Sequence, residues 1–221
     1  MAAAALALYA AWFMVAFGLR TLIHRRRTGD SGFRGLRGRA GSVEWFAGIL
    51  FGLALIVGVA APATALLGLD PVSMFDRSWL NWIGLAVGSA GVVATLEAQL
   101  SMGASWRIGV DPSERTDLVT GGAFALVRNP IFSAMLITAI GLTLMVPNPV
   151  ALVGLAVLVA ALELQVRCVE EPHLVATHGD AYYAYAERVG RFVPGVGVRA
   201  STGGPQAPAP ARKGSDRATA T

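Results

Sequence analysis

The sequence predicts an all-α, polytopic membrane helix bundle, and three observations support this fold class. The chain of 221 residues is 54% hydrophobic and only 14% charged, whereas soluble domains average about 45–50% apolar and 25% charged residues. Its mean hydropathy is +0.56. Five apolar runs approach the roughly 20 residues that cross a hydrocarbon core, and Arg and Lys are concentrated between and after them. We therefore expect about five transmembrane helices in a single membrane domain, residues 1–198.

The limits of the apolar runs place the five spans. The first run is followed by Arg20 and Arg25 and is not preceded by positive charge, which is the order of an N-out anchor and not of a cleaved signal peptide. Pro147-Asn148-Pro149 leaves room only for a tight turn, so the last two spans form a hairpin. The predicted spans lie near 2–19, 45–67, 79–100, 131–146 and 150–166.

The distribution of Arg and Lys predicts the orientation. With the N-terminus outside, 17 of the 18 Arg and Lys residues face the cytosol and only Arg77 lies outside, as the positive-inside rule requires. Segment 118–128 and all residues after Val166 then share the cytosolic face, where we expect a C-terminal helical segment. The sequence thus predicts a multi-pass integral membrane protein with its site on the cytosolic face, in the plasma membrane if the source is prokaryotic.

Two polar segments have compositions that argue against a catalytic site in either of them. Segment 24–41 alternates Arg with Gly, and we expect it to hold the topology and to contact anionic headgroups of membrane lipids, not nucleic acid. The Pro- and Ala-rich tail, residues 199–221, is predicted to be disordered. His173 and His178 are five residues apart and fall on different helix faces, so no metal site is predicted.

A spaced set of polar and small residues between Leu118 and Pro194 marks the candidate site, because it lies where apolar helices end. Gly121-Gly122 lets backbone approach a ligand closely, and we expect Asn129 to be the N-cap of the helix that Pro130 begins. The first turn of that helix offers unpaired N–H groups to a carboxylate, while Glu170-Glu171 carries negative charge just past the fifth span. A ligand with a carboxylate and either a positive centre or sugar hydroxyls fits these two ends.

Each member of this set also has a structural interpretation. Glu163 and Arg167 are four residues apart and predict an ion pair near the inner boundary. Arg128 suits a positive-inside anchor, and Tyr182 with Tyr185 suits an interfacial aromatic belt. Singly, these structural interpretations are favoured; together, the order and spacing of the set favour a ligand site.

The order of the motifs is itself informative. Leu118-Val119-Thr120, Gly122-x-Phe124, Arg128-Asn129-Pro130-Ile131-Phe132, Glu170-Glu171, Gly179-x-x-Tyr182-x-x-Tyr185 and Phe192-x-Pro194 follow one another around a helical hairpin. This order resembles the isoprenylcysteine carboxyl methyltransferase and phospholipid methyltransferase superfamily over roughly the C-terminal 80 to 100 residues. The resemblance implies a membrane enzyme that transfers a methyl group from S-adenosyl methionine to a lipid-soluble or small acceptor, most similar to an isoprenylcysteine carboxylate.

The resemblance also implies residue roles within segment 116–194. Arg167 lies close to a substrate-facing Arg of the isoprenylcysteine enzymes and would place a carboxylate or thiolate acceptor, while Glu171 would take the proton from an amine acceptor. The residues implied to bind the cofactor are Asp117, Leu118, Val119, Gly122, Phe124, Arg128, Asn129, Pro130, Ile131, Phe132, Glu170 and Tyr182.

Two departures from the family pattern keep other functions open. Asn129 stands where the family has His, and Phe132 where it has Tyr; Asn can still donate and accept hydrogen bonds, whereas Phe cannot. One alternative is a relative of the NADPH-dependent membrane sterol reductases, which share the Arg-x-Pro turn, although Ser133-Ala134 replaces their Gly-Glu. Another alternative is a non-catalytic membrane scaffold or sensor.

Overall fold

The structure, a computed structural model, describes residues 1–29, 39–102 and 117–200, and regular structure in these residues is helical apart from two isolated β-bridges. The predicted all-α membrane bundle is confirmed. The helices are α1 (Ala2–Phe13), α2 (Arg20–Thr28), α3 (Val43–Leu66), α4 (Ser78–Ser101), α5 (Pro130–Met145), α6 (Pro149–Gln165), α7 (Glu171–His178) and α8 (Asp180–Ala186).

Four helical stretches of the described chain are long and apolar enough to cross a membrane, and two of them run beyond the predicted spans. A π-helical turn, Met14–Leu19, joins α1 to α2, so residues 24–28, predicted as the start of the basic loop, are helical. A second π-helical turn, Val166–Glu170, joins α6 to α7. Residues 30–38 of the predicted basic loop and 201–221 of the predicted tail lie outside the described residues. The four stretches are Ala2–Arg26, Val43–Leu66, Ser78–Ser101 and Pro149–His178.

The fourth predicted span, α5, is shorter than the other four. Its 16 residues rise about 24 Å, less than the roughly 30 Å of a hydrocarbon core. Half of them are buried, because α5 packs against α1, α4 and α6. The bundle therefore has four long helices around a short, enclosed fifth one.

Glycines bring α4 and α5 into close contact. A Cβ atom added at Gly84 would lie 2.6 Å from the carbonyl oxygen of Gly141, and one added at Gly141 would overlap the backbone of Gly88. Small residues permit such approach between membrane helices. Gly84 and Gly88 therefore act within the chain, whereas an added Cβ at Gly52 meets no atom of the described residues within 4 Å.

The predicted tight turn between α5 and α6 is confirmed, and Asn148 holds it. The Asn148 Oδ1 atom accepts a hydrogen bond from the backbone N–H of Ala151 at 2.8 Å, which caps α6, and Nδ2 donates to the Ala61 carbonyl in α3 at 2.9 Å. Asn148 is 1% exposed. One side chain thus ties the hairpin turn to α3, beside Pro62 in that helix.

The C-terminal unit is defined here as α7, α8 and the following segment 187–199. It packs at the end of the bundle where α5 begins. Tyr182, Tyr185 and Ala186 form its buried cluster. The predicted tail begins at residue 199, yet Arg199 is held in the unit: its N–H donates to the Ala186 carbonyl at 2.9 Å, and its guanidinium lies 4.9 Å from the centre of the Tyr183 ring.

Candidate functional site

The two halves of the motif set lie side by side. The backbone at Val127 and Gly190 forms a parallel bridge, with the Arg128 N–H donating to the Gly190 carbonyl at 2.8 Å and the Asn129 N–H to the Arg191 carbonyl at 3.1 Å. About one turn into α5, the Ser133 hydroxyl donates to the Phe192 carbonyl at 2.7 Å. Segments that are about 60 residues apart in sequence are thereby joined at the start of α5.

Arg128 is the most buried charged group of the site, with a side chain 2% exposed. Its Nη1 donates to the carbonyls of Ala186 and Val189 at 2.9 and 2.6 Å. Its Nη2 donates to Glu171 Oε1 at 2.9 Å and to the Gly197 carbonyl at 3.0 Å. Only Nε lacks a hydrogen-bond partner. Arg128, implied by the family resemblance to bind cofactor, therefore holds the C-terminal unit against α5.

Glu171 is the shared partner of two guanidiniums. Besides Arg128, it binds Arg191, whose Nε donates to Oε1 at 2.8 Å and whose Nη2 donates to Oε2 at 3.0 Å. These hydrogen bonds raise the pKa of Arg191 above its ordinary value, so this guanidinium stays charged. We call Arg128, Glu171 and Arg191 the ion triad; it has a net charge of +1 in surroundings where the side chains are at most 15% exposed.

The first turn of α5 is not capped as predicted. Asn129 occupies the N-cap position, but its side chain makes no capping hydrogen bond and instead donates from Nδ2 to the Arg191 carbonyl at 3.2 Å. Pro130, at the first helical position, is buried and has no N–H to satisfy. Ile131 and Phe132 are half-buried and pack against the bundle core. The backbone N–H groups at the start of α5 are thus left without a cap from Asn129.

An aromatic layer lies between α8 and the segment that precedes α5. The Tyr185 hydroxyl donates to the Phe124 carbonyl at 2.6 Å, and the Tyr182 and Tyr185 rings meet edge to face with centres 6.3 Å apart. Burial raises the pKa of both tyrosines to about 12. Phe124 is 9% and Tyr182 1% exposed, and Leu118 packs against the tyrosines. These three predicted residues therefore lie together.

The remaining predicted residues of the preceding segment lie nearer the surface. Asp117 is exposed and Val119 is half-buried. Gly122 is exposed and has φ of +59°, a conformation that favours glycine. A Cβ atom there would lie 3.0 Å from the Ser101 hydroxyl oxygen at the end of α4. The turn at Gly122 therefore brings this segment against α4.

Arg167 and Glu170 lie on the second π-helical turn, where they contact Glu163 and Gln165, respectively. Arg167 pairs with Glu163, as the spacing predicts, and the two side chains are 58% and 38% exposed. Glu170 Oε1 lies 3.5 Å from Gln165 Nε2, a long hydrogen bond. Arg167 therefore pairs outside the ion triad, and the roles implied for Arg167 and Glu170 stay predictions.

Two residues of the site were not predicted. Arg191 belongs to a motif that the sequence displays, and its charge next to Phe192 was the available signal. Ser133 shows no such signal, because a Ser in a membrane helix usually bonds to its own backbone.

Comparison with known proteins finds that part of the chain is similar to membrane methyltransferases. Residues 79–181 match the family model described as phospholipid methyltransferase. Two curated proteins of Arabidopsis thaliana are similar: protein-S-isoprenylcysteine O-methyltransferase B is 31% identical and protein-S-isoprenylcysteine O-methyltransferase A 33% identical, each over 120 residues. Each alignment covers 53% of this chain and 61% of the relative. The chain thus spans about three fifths of the length of these relatives.

A solved structure has the same fold. The eukaryotic intramembrane Ras methyltransferase, an isoprenylcysteine carboxyl methyltransferase, superposes with a TM-score of 0.53 at 19% sequence identity, over 89% of this chain and 70% of that one. At this identity the likeness concerns the fold, which agrees with the family match. Residues 79–181 are thus similar to the phospholipid methyltransferases, a stretch of 120 residues is similar to two isoprenylcysteine O-methyltransferases, and the chain shares its fold with an isoprenylcysteine carboxyl methyltransferase.

Proposed function

We propose that the protein transfers a methyl group from S-adenosyl methionine to a lipid-soluble or small acceptor at the cytosolic face of the membrane. The observation that carries this proposal is the joining of segment 127–129 to segment 190–192 at the start of α5. Both segments belong to the motif order that the methyltransferase superfamily displays, and their direct pairing makes one site of them.

The residues around this pairing suit the cofactor. The uncapped first turn of α5 offers backbone N–H groups to a carboxylate. Phe124 and Tyr182 supply aromatic faces for a sulfonium, and Gly122 lets the backbone of the preceding segment approach a ligand. We propose that the residues from Asp117 to Phe132, with Glu170, hold the cofactor between the end of α4 and the C-terminal unit.

When bound, S-adenosyl methionine supplies an electrophilic methyl group for an in-line displacement. The chain has only to align the acceptor and to exclude water. The ion triad contributes indirectly to this alignment and to the exclusion of water. Glu171 accepts hydrogen bonds from Arg128 and Arg191, which fixes the C-terminal unit over the start of α5. We propose this positioning role for Glu171 in place of the predicted proton transfer, since its carboxylate already accepts hydrogen bonds from two guanidiniums.

For the acceptor, we propose a lipophilic molecule with a carboxylate, by analogy with relatives named for isoprenylcysteine. Such an acceptor would reach the site from the bilayer, between helices. Arg167, which is exposed at the membrane boundary, would attract the carboxylate. A carboxylate is already nucleophilic, so the reaction needs no general base.

A methyl-transfer assay tests this proposal. Purified protein and S-adenosyl methionine labelled in its methyl group are incubated with a membrane lipid extract, with an isoprenylated cysteine analogue and with a panel of small thiols. We expect label in the lipophilic carboxylate fraction. Label in none of the three, from protein that melts cooperatively, would contradict the proposed activity.

A further inference from the structure

Gln99 is a buried amide with one satisfied and one unsatisfied end. It lies two residues before the end of α4 and is 2% exposed. Its Nε2 donates to the Ala16 carbonyl, in the first π-helical turn, at 2.8 Å. Its Oε1 has no hydrogen-bond partner among the described residues. Because Nε2 donates to a carbonyl oxygen, the orientation of the amide is determined, and the unpaired atom is the acceptor.

The helix register places Gln99 next to the start of α5. Gly84 abuts Met145 and Gly91 abuts Thr138, so α4 and α5 run antiparallel in close contact. Gln99 continues the buried stripe of α4 that contains Gly84 and Gly91. Extending the same register by two turns brings Gln99 level with Pro130. The unpaired oxygen therefore lies at the same depth as the uncapped first turn of α5.

A buried amide oxygen without a donor costs free energy, and a ligand that donates to Gln99 Oε1 would remove this cost. Two groups then lie at one depth: N–H donors of the α5 first turn for a negative group, and the Gln99 oxygen for a positive or N–H group. An amino acid zwitterion carries this pair of charges on two groups bound to the same carbon atom. S-adenosyl methionine and its demethylated product both end in such a zwitterion.

We propose that Gln99 Oε1 accepts a hydrogen bond from the α-ammonium group of the bound cofactor, whose carboxylate lies at the first turn of α5. This inference rests on the proposed function, since it assigns a further binding residue to the same cofactor. It also gives Gln99 a second role beyond linking α4 to the first helix through Ala16.

Two ligands and three proteins test the assignment by calorimetry in detergent. The ligands are S-adenosylhomocysteine and its deamino analogue, which lacks only the ammonium group. The proteins are the wild type, Gln99→Leu and the control Thr95→Val, which changes a buried residue one turn earlier whose hydroxyl bonds only to Gly91 of its own helix.

We expect the wild type to bind S-adenosylhomocysteine at least about tenfold more tightly than the deamino analogue, the range of a hydrogen bond to a charged group. Gln99→Leu should bind both ligands with the weaker affinity, and Thr95→Val should behave as the wild type. The wild-type comparison stands even if Gln99→Leu does not fold.

Three results would overturn the inference while leaving the proposed function intact. The first is equal affinity of the wild type for the two ligands, and the second is unchanged binding in Gln99→Leu. The third is an equal weakening of the binding of both ligands in that variant, which indicates a purely structural role. Wild-type protein that melts cooperatively but binds neither ligand would overturn the proposed function as well.

Discussion

The α4–α5 interface and the ion triad hold the same helix in place by opposite means. At the interface, Gly84, Gly88 and Gly141 remove side chains so that two backbones come into contact. At the start of α5, Arg128 and its partners fill the space with charge and hydrogen bonds. The interface depends chiefly on the absence of side chains, with Asn81 donating to the Leu144 and Met145 carbonyls at one end, whereas the triad depends on charge.

This difference follows from the surroundings. Inside the bilayer, association of helices depends on close packing because lipid is as apolar as the helix surface. At the end of the bundle, carbonyls of α8 and segment 187–199 need donors, and a guanidinium supplies five N–H groups in one plane. The interface should therefore be sensitive to added volume, and the triad to removed charge.

The largest effect is expected for added volume at Gly141. Gly141→Leu forces its side chain into the backbone of α4 at Gly88, and the helices must separate. We expect destabilisation at or above the upper end of the roughly 1–3 kcal/mol typical of overpacking, measured by thermal melting in detergent. Gly52→Ala is the matched control, because nothing lies within 4 Å of its added Cβ; a similar loss there would argue against the interface.

Removal of the shared carboxylate comes next. Glu171→Gln leaves two adjacent buried guanidiniums without a counter-charge, and we expect a loss of about 3–5 kcal/mol, as for other broken buried ion pairs. The control Glu163→Gln breaks an exposed pair with Arg167 and should cost less than about 1 kcal/mol. Equal melting temperatures for the two variants would show that the triad is not structural.

The sequence located the helices that form the interface better than the contacts of the triad, for a physical reason. Apolar runs locate spans to within a few residues. The triad joins residues 43 and 20 positions apart through backbone pairing that leaves no trace in composition. Arg128 and Glu171 were therefore recognised as site residues, while their contact with each other and with Arg191 was not.

Two helical stretches also extend beyond the ends of the predicted spans. Apolar runs stop where the bilayer stops, whereas hydrogen bonding continues a helix into water. This explains why the first helix extends to Thr28 and the last to His178, beyond the predicted ends at residues 19 and 166. Both extensions pass through π-helical turns, which no periodicity in the sequence announces.

A smaller effect should separate Tyr183 from Tyr185, two of the three tyrosines of α8. Tyr185→Phe removes the hydroxyl that donates to the Phe124 carbonyl at 2.6 Å and leaves that carbonyl without its donor, at a cost of roughly 1–3 kcal/mol. Tyr183→Phe is the control, since the Tyr183 ring is half-buried and contacts the Arg199 guanidinium through its face. A greater loss in the Tyr183 variant, measured by urea unfolding, would contradict the assigned hydrogen bond.

The smallest effect concerns alkaline pH. Tyr182 and Tyr185 have pKa values of about 12, above the ordinary 10.0, because burial disfavours the phenolate. The unfolded chain therefore loses these protons first, and stability falls as pH rises from 10 to 12, by about 1 kcal/mol per tyrosine at pH 11. Melting at several pH values checks this; a double Phe variant with the same pH dependence as the wild type would exclude the tyrosines as the cause.

The central claim is that the start of α5 and the C-terminal unit together bind S-adenosyl methionine, and calorimetry of the purified wild type in detergent tests it most directly. We predict binding of S-adenosyl methionine and none of NADPH, with affinity lost in Asn129→Ala and Glu170→Ala while both variants melt as the wild type does. Binding of NADPH alone would favour a reductase, binding of neither ligand would favour a scaffold, and unchanged affinity in both variants would contradict the site.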